Sequence, residues 1–175
     1  MAKTFLASLA LLVLPLLFTS RGAETPRTMR LDFYHTGTSA EEVFSLDRAV
    51  VEPLPWPGNS RHAVDETNLG KYLFEVRDAG TNRILYSRGF ASIYGEWETT
   101  DEAKTLRRTF QESLRFPAPD SPVQIILKKR DAKNLFREVW TIGVDPKDIF
   151  VDRSNSKAPA PVIEIQRSGD PASSD

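Results

Sequence analysis

The chain has 175 residues, of which 40% are hydrophobic and 27% are charged. This composition excludes a wholly disordered chain, and the length suits one ordinary domain. The 23 basic and 24 acidic residues give a net charge of −1, which argues against the broad positive surface that a nucleic-acid-binding protein needs. The chain contains no cysteine, which excludes disulfides, lipid attachment through cysteine and thiol catalysis.

The N-terminus has the pattern of a secretory signal. Lys3 precedes an apolar run from Phe5 to Phe18, and small residues follow that run. This order is typical of a cleaved signal peptide, and the run is too short for a comfortable membrane span. We therefore predict a signal peptide over residues 1–23, no stable membrane span, and a secreted, periplasmic or cell-envelope protein. The alternative is a buried helix or an uncleaved anchor.

Beyond the signal, apolar residues alternate with a period of two, which is typical of β-strands. In KYLFEVRDAGTNRILYSRGF, Tyr72, Phe74 and Val76 share one face, and a Gly/Asn turn leads into a second alternating run. This segment predicts a β-hairpin. The other alternating segments are MRLDFYHT, VFSLDRAVV, FQESLRF, PVQIILKKR and LFREVWTIGV, the last with Trp140 on its core face. Seven to eight strands at this spacing predict an all-β antiparallel sandwich over residues 24–152.

One short helix is expected between the strands. In ETTDEAKTLRR, Thr99 or Thr100 is placed to cap a helix that has acidic residues in its first turn and arginines in its last. That charge order suits the helix dipole. The basic segment LKKRD is interpreted as the solvated end of a strand, and RSNSKAPAP as a linker.

The sequence indicates no metal site and no nucleophile. His35 ends the first strand and His62 lies in a Pro/Gly loop, and neither has the fixed spacing of a zinc motif such as H-E-x-x-H. We predict that His62 is a surface histidine. GNSRH has His62 where a nucleophile elbow needs its second glycine. We therefore expect no cofactor, no metal and no catalytic residue.

Two carboxylates leave one enzymatic alternative open. Glu96 and Glu98, in YGEWE, would share a face on a strand, where they could bind a cation or act as paired acid and base. Carboxylate pairs in glycosidases usually come from different strands, however. We therefore interpret this segment as a solvated strand end.

Three aromatic residues form a candidate binding surface, namely Trp56, Tyr94 and Trp97. Trp56 lies between two prolines, so its backbone is nearly fixed, and an exposed ring there would be a platform for a sugar or an apolar side chain. The alternative for Trp56 is that its ring folds back and caps the end of the sandwich.

Three long segments resemble a known family. MRLDFYHTGTSAEEVFSLDRAVVEPLPWPGN, NLGKYLFEVRDAGTNRILYSRGFASIYGEWETTDEA and FQESLRFPAPDSPVQIILKKRD are similar to the N-terminal domain of the IgA-peptidase family of secreted zinc metallopeptidases. The resemblance implies a β-sandwich that precedes a catalytic domain with an H-E-x-x-H zinc helix. The segment SGDPASSD resembles the start of that catalytic domain, which would make residues 153–175 a linker and a truncated junction.

These observations predict a non-catalytic accessory domain of a secreted metallopeptidase, whose partner is the protease catalytic domain that this chain lacks. The alternative is a carbohydrate- or protein-binding sandwich of the bacterial envelope, with an extracellular protein or glycan as the partner. A free-standing enzyme that uses Glu96 and Glu98 is the third possibility.

Overall fold

The computed structural model describes residues 25–59, 61–154 and 169, and this part of the chain forms two β-sheets. The strands are β1 (Arg27–Gly37), β2 (Glu42–Pro55), β3 (Tyr72–Asp78), β4 (Ile84–Phe90), β5 (Arg108–Pro117), β6 (Val123–Arg130), β7 (Phe136–Val144) and β8 (Val151–Asp152). The first sheet has the order β5-β1-β2-β8, and the second has the order β4-β3-β6-β7. The predicted all-β sandwich is confirmed, with one addition, since β8 pairs with β2 in parallel.

The core lies between the two sheets, because every second side chain along a strand points inward. Met29, Leu31 and Phe33 of β1 are fully buried. The ring of Phe33 lies 5.5 Å from that of Trp140 on β7, which connects the sheets on one side. Burial of a large apolar side chain contributes roughly 1.5–3 kcal/mol, so these rows of side chains supply most of the driving force for packing one sheet on the other.

The helical segment lies earlier in the chain than the sequence predicted. An α-helix, α1, spans Ile93–Trp97, and a single 3₁₀ turn follows at Glu102–Lys104. The hydroxyl of Ser92 accepts a hydrogen bond from the Gly95 N–H at 2.9 Å and so caps α1. Asp101 makes no such bond in front of the 3₁₀ turn. An N-cap satisfies a free N–H of the first turn, so the cap at Ser92 sets where the helix begins.

The segment LKKRD lies at the end of β6, as predicted, but its side chains are only partly solvated. Lys128 Nζ lies 2.5 Å from a carboxylate oxygen of Glu75, and Arg130 Nε donates to the Gly70 carbonyl at 2.7 Å. Lys129 has two carboxylate partners, which belong to the site described below. All three side chains are therefore held against the sheet by acceptors on neighbouring segments.

The sandwich has two ends with different chemistry. The histidine end contains His35, Glu42 and Tyr94, where β1 finishes and β2 begins. The exit end contains Arg27 and Pro117, where β1 begins and β5 finishes. Because β8 runs parallel to β2, the chain leaves the sheet toward the exit end after Asp152.

Some predictions concern residues outside the described part of the chain. The signal peptide over residues 1–23 lies there, and so does the linker and junction over 153–175, apart from residues 153, 154 and 169. Among the helices of the described part, none has the length and apolar character needed to cross a membrane.

Candidate functional site

His35 is the centre of a buried polar cluster at the histidine end. Its side chain is 1% exposed, and each ring nitrogen faces a carboxylate. Nε2 lies 3.0 Å from an oxygen of Glu42 on β2, and Nδ1 lies 3.3 Å from an oxygen of Glu112 on β5. One inward-facing residue of β1 therefore ties together the two strands that flank it.

The two faces of the His35 ring are covered by aromatic rings. Tyr94 of α1 stacks on one face at a centroid distance of 3.7 Å, and Phe44 of β2 lies 4.2 Å away. The Tyr94 hydroxyl points to the carbonyl oxygens of Thr38 and Glu41 at 2.6 and 2.8 Å. Tyr94 thus fixes α1 both to the imidazole and to the turn between β1 and β2.

One hydroxyl and three further charged groups extend the cluster to the second sheet. The Tyr72 hydroxyl on β3 donates to Glu42 at 3.0 Å, and Lys129 Nζ on β6 lies 3.0 Å from the other oxygen of Glu42. Lys129 also contacts Glu98 at 2.8 Å. Glu98 in turn lies 2.5 Å from Lys71 Nζ, as an ion pair. Cations and anions alternate along this chain of contacts, so the buried charges are compensated within the domain.

Burial and charge shift the titration of these groups in opposite ways. Burial by itself lowers the pKa of His35, but the hydrogen bonds and charges of Glu112 and Glu42 outweigh it and raise that pKa. Burial by itself raises the pKa of Glu42, but His35 and Lys129 outweigh it, and the pKa is lowered. Burial, followed by the nearby carboxylates, raises the pKa of both Tyr72 and Tyr94. The cluster therefore favours protonated His35 beside ionised Glu42.

The geometry of the cluster suits anchoring better than catalysis. A general acid or base must reach a proton on a substrate, whereas both nitrogens of His35 face glutamates and both ring faces are covered. Within the described ranges, no group of three or more His, Asp or Glu side chains is arranged to hold a metal ion. The cluster joins β1, β2, β5, α1 and the second sheet into one unit.

The three aromatic residues of the candidate binding surface are not brought together. Tyr94 is 0% exposed and Trp97 is 8% exposed, so neither ring offers a free face for a ligand. Trp97 Nε1 donates to Glu102 at 2.7 Å, and its ring packs on Phe110 at 5.5 Å. The two residues lie on the buried side of α1 rather than on a strand, which corrects the expectation of a stacking surface.

Trp56 lies at the exit end, away from the other two. It is partly buried, and its ring meets the Tyr86 ring edge-on at 5.5 Å. Its backbone N–H donates to the Pro26 carbonyl at 2.7 Å. This arrangement matches the alternative given above, in which Trp56 folds back onto the end of the sandwich.

The carboxylate pair does not share a face. Glu96 and Glu98 belong to α1 and its C-cap, and residues two apart on a helix point in nearly opposite directions. Glu96 is exposed, whereas Glu98 is drawn inward by Lys71 and Lys129. The strand predicted for YGEWE was wrong, because the Ser92 cap starts a helix there.

His62 is exposed, as predicted.

A second feature that the sequence analysis missed lies in the turn between β7 and β8, directly before β8 joins the edge of the first sheet beside Ala49. In this turn Ile149 is 88% exposed and Phe150 is 83% exposed. These are the largest exposed fractions among the exposed large apolar side chains of the described residues. Two adjacent apolar residues directly before a strand were the available signal, since alternation buries only one of two neighbours.

The signal for the histidine cluster was also in the sequence. His35 follows Met29, Leu31 and Phe33 at intervals of two, so the period places it on the core face of β1. A core-facing histidine needs partners for its ring nitrogens. What the sequence did not supply was the identity of those partners, because Glu42 and Glu112 come from different strands.

One family model matches the chain. It is described as Peptidase M64 N-terminus, and it covers residues 21–141, which is most of the chain and reaches from before β1 into β7. The match suggests an accessory domain of a metallopeptidase. No curated protein matches the chain. On the extent of the family match, the chain belongs to the M64 peptidase family and carries the N-terminal domain of that family.

Proposed function

We propose that this domain is the non-catalytic accessory domain of a secreted zinc metallopeptidase of the IgA-peptidase type, and that it packs against and positions the catalytic domain. The observation that carries the proposal is the family match over residues 21–141. The three long segments quoted above support the narrower IgA-peptidase assignment, and the apolar N-terminal run supports secretion or a cell-envelope location.

The structure of the domain is suited to such a role. Charged groups of the histidine end are compensated internally, so that end is a rigid support rather than a surface with free polar groups. Two exposed apolar side chains, Ile149 and Phe150, lie directly before β8, the last strand of the described residues. A rigid domain with an exposed apolar patch can hold a neighbouring domain in a fixed orientation.

A binding experiment tests the proposal. The 175-residue chain is mixed with a separately expressed zinc catalytic domain from the same peptidase family, and the affinity is measured by isothermal titration calorimetry. We expect a one-to-one complex, and a catalytic domain that unfolds at a higher temperature in the presence of the chain, because a ligand of the native state stabilises it. An unrelated secreted zinc metallopeptidase is the control and should not bind.

Two results would contradict the proposal. Absence of binding to the family catalytic domain at concentrations well above micromolar would contradict the proposed accessory role. Chelator-sensitive cleavage of peptides by the purified 175-residue chain alone would remove the non-catalytic assignment.

A further inference from the structure

We propose that Ile149 and Phe150, which we call the exit tip, form the docking point for the catalytic domain of a metallopeptidase of this family. This inference rests on the proposed function and adds the surface through which it is carried out. The exit tip lies in the turn between β7 and β8.

The exposure of the exit tip is unusual for a folded domain. Both side chains are more than four-fifths exposed, at 88% and 83%. Burial of a large apolar side chain is worth roughly 1.5–3 kcal/mol, and this domain does not use that gain at either position. Exposed apolar side chains that lie side by side mark interaction sites.

The turn that carries the exit tip is rigidly built. The Asp145 carboxylate accepts the Lys147 N–H at 2.8 Å, and the Asp148 carboxylate accepts the Phe150 N–H at 2.9 Å. The Arg153 guanidinium donates to the carbonyl oxygens of Pro146, Asp148 and Val151. A contact surface that is already ordered loses little conformational entropy on binding. The exit tip is therefore preorganised for a partner rather than loose.

The position of the exit tip identifies the partner. The chain passes from Phe150 through the two residues of β8 to Arg153 and Ser154, and the sequence continues from there. The family match assigns residues 21–141 to the N-terminal part of a peptidase, so in this family the peptidase part follows in the C-terminal direction. In a family member whose peptidase domain follows this one, the connecting segment keeps that domain close to the exit tip and raises its effective concentration there.

The surface next to the exit tip can accept a partner as well. A shallow hollow of about 350 Å³ lies beside the turn. Its lining includes Pro26, Val51, Ala118, Pro119, Pro146 and Arg153. The lining combines apolar side chains with charged ones, a mixture that is also found at interfaces between proteins.

The test compares two double variants in the calorimetric assay with the separate family catalytic domain. Ile149→Ser with Phe150→Ser should weaken binding at least tenfold, because two exposed apolar contacts are lost. The matched control is Leu69→Ser with Leu135→Ser, two leucines that are 68% and 51% exposed and lie near the histidine end. This control should bind within twofold of the unchanged chain.

A crosslinking experiment gives an independent readout. Because the chain has no cysteine, a single cysteine at Phe150→Cys can carry a photo-crosslinker, with Leu135→Cys as the control position. We expect a crosslink to the catalytic domain from position 150 and none from position 135. This readout stands even where the double serine variant fails to fold.

The outcomes separate this inference from the proposed function. Equal affinity of both double variants, with no crosslink from position 150, would overturn the inference that the exit tip is the docking point. It would leave the proposed accessory role intact. Absence of binding by the unchanged chain would overturn both. Loss of binding in the exit-tip variant alone, together with the crosslink, would support the inference.

Discussion

The histidine end and the turn before β8 contain side chains in unfavourable surroundings of opposite kinds. At the histidine end, groups that prefer water are buried, since His35 is 1% exposed and is packed between Tyr94 and Phe44. In the turn before β8, groups that avoid water are exposed, since Ile149 and Phe150 extend from that turn. Each arrangement is unfavourable by itself, and each is accompanied by ordered hydrogen bonds that hold it in place.

The difference lies in how each region is stabilised. The charged groups of the histidine end pair with one another inside the domain, and buried Oε1 of Glu98 has the Lys71 ion pair but no hydrogen-bond partner. The ion pairs of that end therefore contribute to stability without a second protein. Ile149 and Phe150 are not covered by the described residues. We have assigned these two side chains to binding, so stability and binding would depend on different regions, and the following experiments test that separation.

The largest effect on stability is expected from His35→Leu. The change leaves the carboxylates of Glu42 and Glu112 without their shared partner in a buried place, and breaking one side of a buried ion pair costs about 3 kcal/mol or more. Urea unfolding at pH 7 should report that loss. Tyr34→Ala is the control, because Tyr34 is the neighbouring residue on the solvent face and is 40% exposed. Similar losses in the two variants would contradict the buried-cluster account.

A single methyl group at Gly37 should have the next largest effect. A side chain there would collide with the Glu41 carbonyl and with the Tyr94 hydroxyl, which holds α1 to the β1–β2 turn. Overpacking of this kind costs about 1–3 kcal/mol, so Gly37→Ala should lower the thermal midpoint by several degrees. Gly143→Ala is the matched control, since a methyl group on that strand residue meets no atom within 4 Å. A Gly143 variant that is as unstable as the Gly37 variant would argue against the collision.

The pH dependence of the free energy of unfolding should report the titration of His35 and Glu42 at the histidine end. The folded pKa of His35 is raised above its usual value of 6.5. Its contribution to stability is therefore fully present below about pH 6.5 and is lost as the pH rises through the raised pKa. The folded pKa of Glu42 is lowered from 4.5, so its contribution is present above that value and is lost as the pH falls further.

The measurement is the free energy of unfolding in urea from pH 6 to pH 9, for the unchanged chain and for His35→Gln. We expect stability to decline with rising pH in the unchanged chain and the decline to become smaller in the variant, because glutamine does not titrate. Parallel profiles for the two proteins would show that His35 is not the group responsible.

Local sequence patterns predicted the sheets but not the cluster, and the reason is physical. The period of two along β1 places Met29, Leu31, Phe33 and His35 on one face, so strands and core residues follow from local information. The partners of His35 depend on register between strands far apart in the chain, as in the pairing of His35 with Phe110 on β5. Register of this kind is set by packing and turns together, and a single sequence does not display it.

The helix around Tyr94 shows a different limit. The charge order of ETTDEAKTLRR favours a helix, yet the hydroxyl of Ser92, several residues earlier, caps the helix that forms. Burial of Tyr94 and Trp97 against the sandwich stabilises that position, and tertiary packing overrides weak local preferences. Because the helix begins after Ser92, Tyr94 and Trp97 lie in the interior and not on the expected surface.

The smallest effect on stability is expected at the exit tip. Ile149→Ser with Phe150→Ser removes side chains that are already 88% and 83% exposed, and exposed substitutions usually change the free energy of unfolding by no more than about 0.5 kcal/mol. Urea unfolding should therefore give nearly equal midpoints for this variant and the unchanged chain. A loss comparable to that of Gly37→Ala would mean that the exit tip is packed within the domain, and the contrast between the histidine end and the exit tip would no longer hold. Equal stability combined with weakened binding would show that the apolar exit tip is kept for a partner, because the fold gains nothing from it.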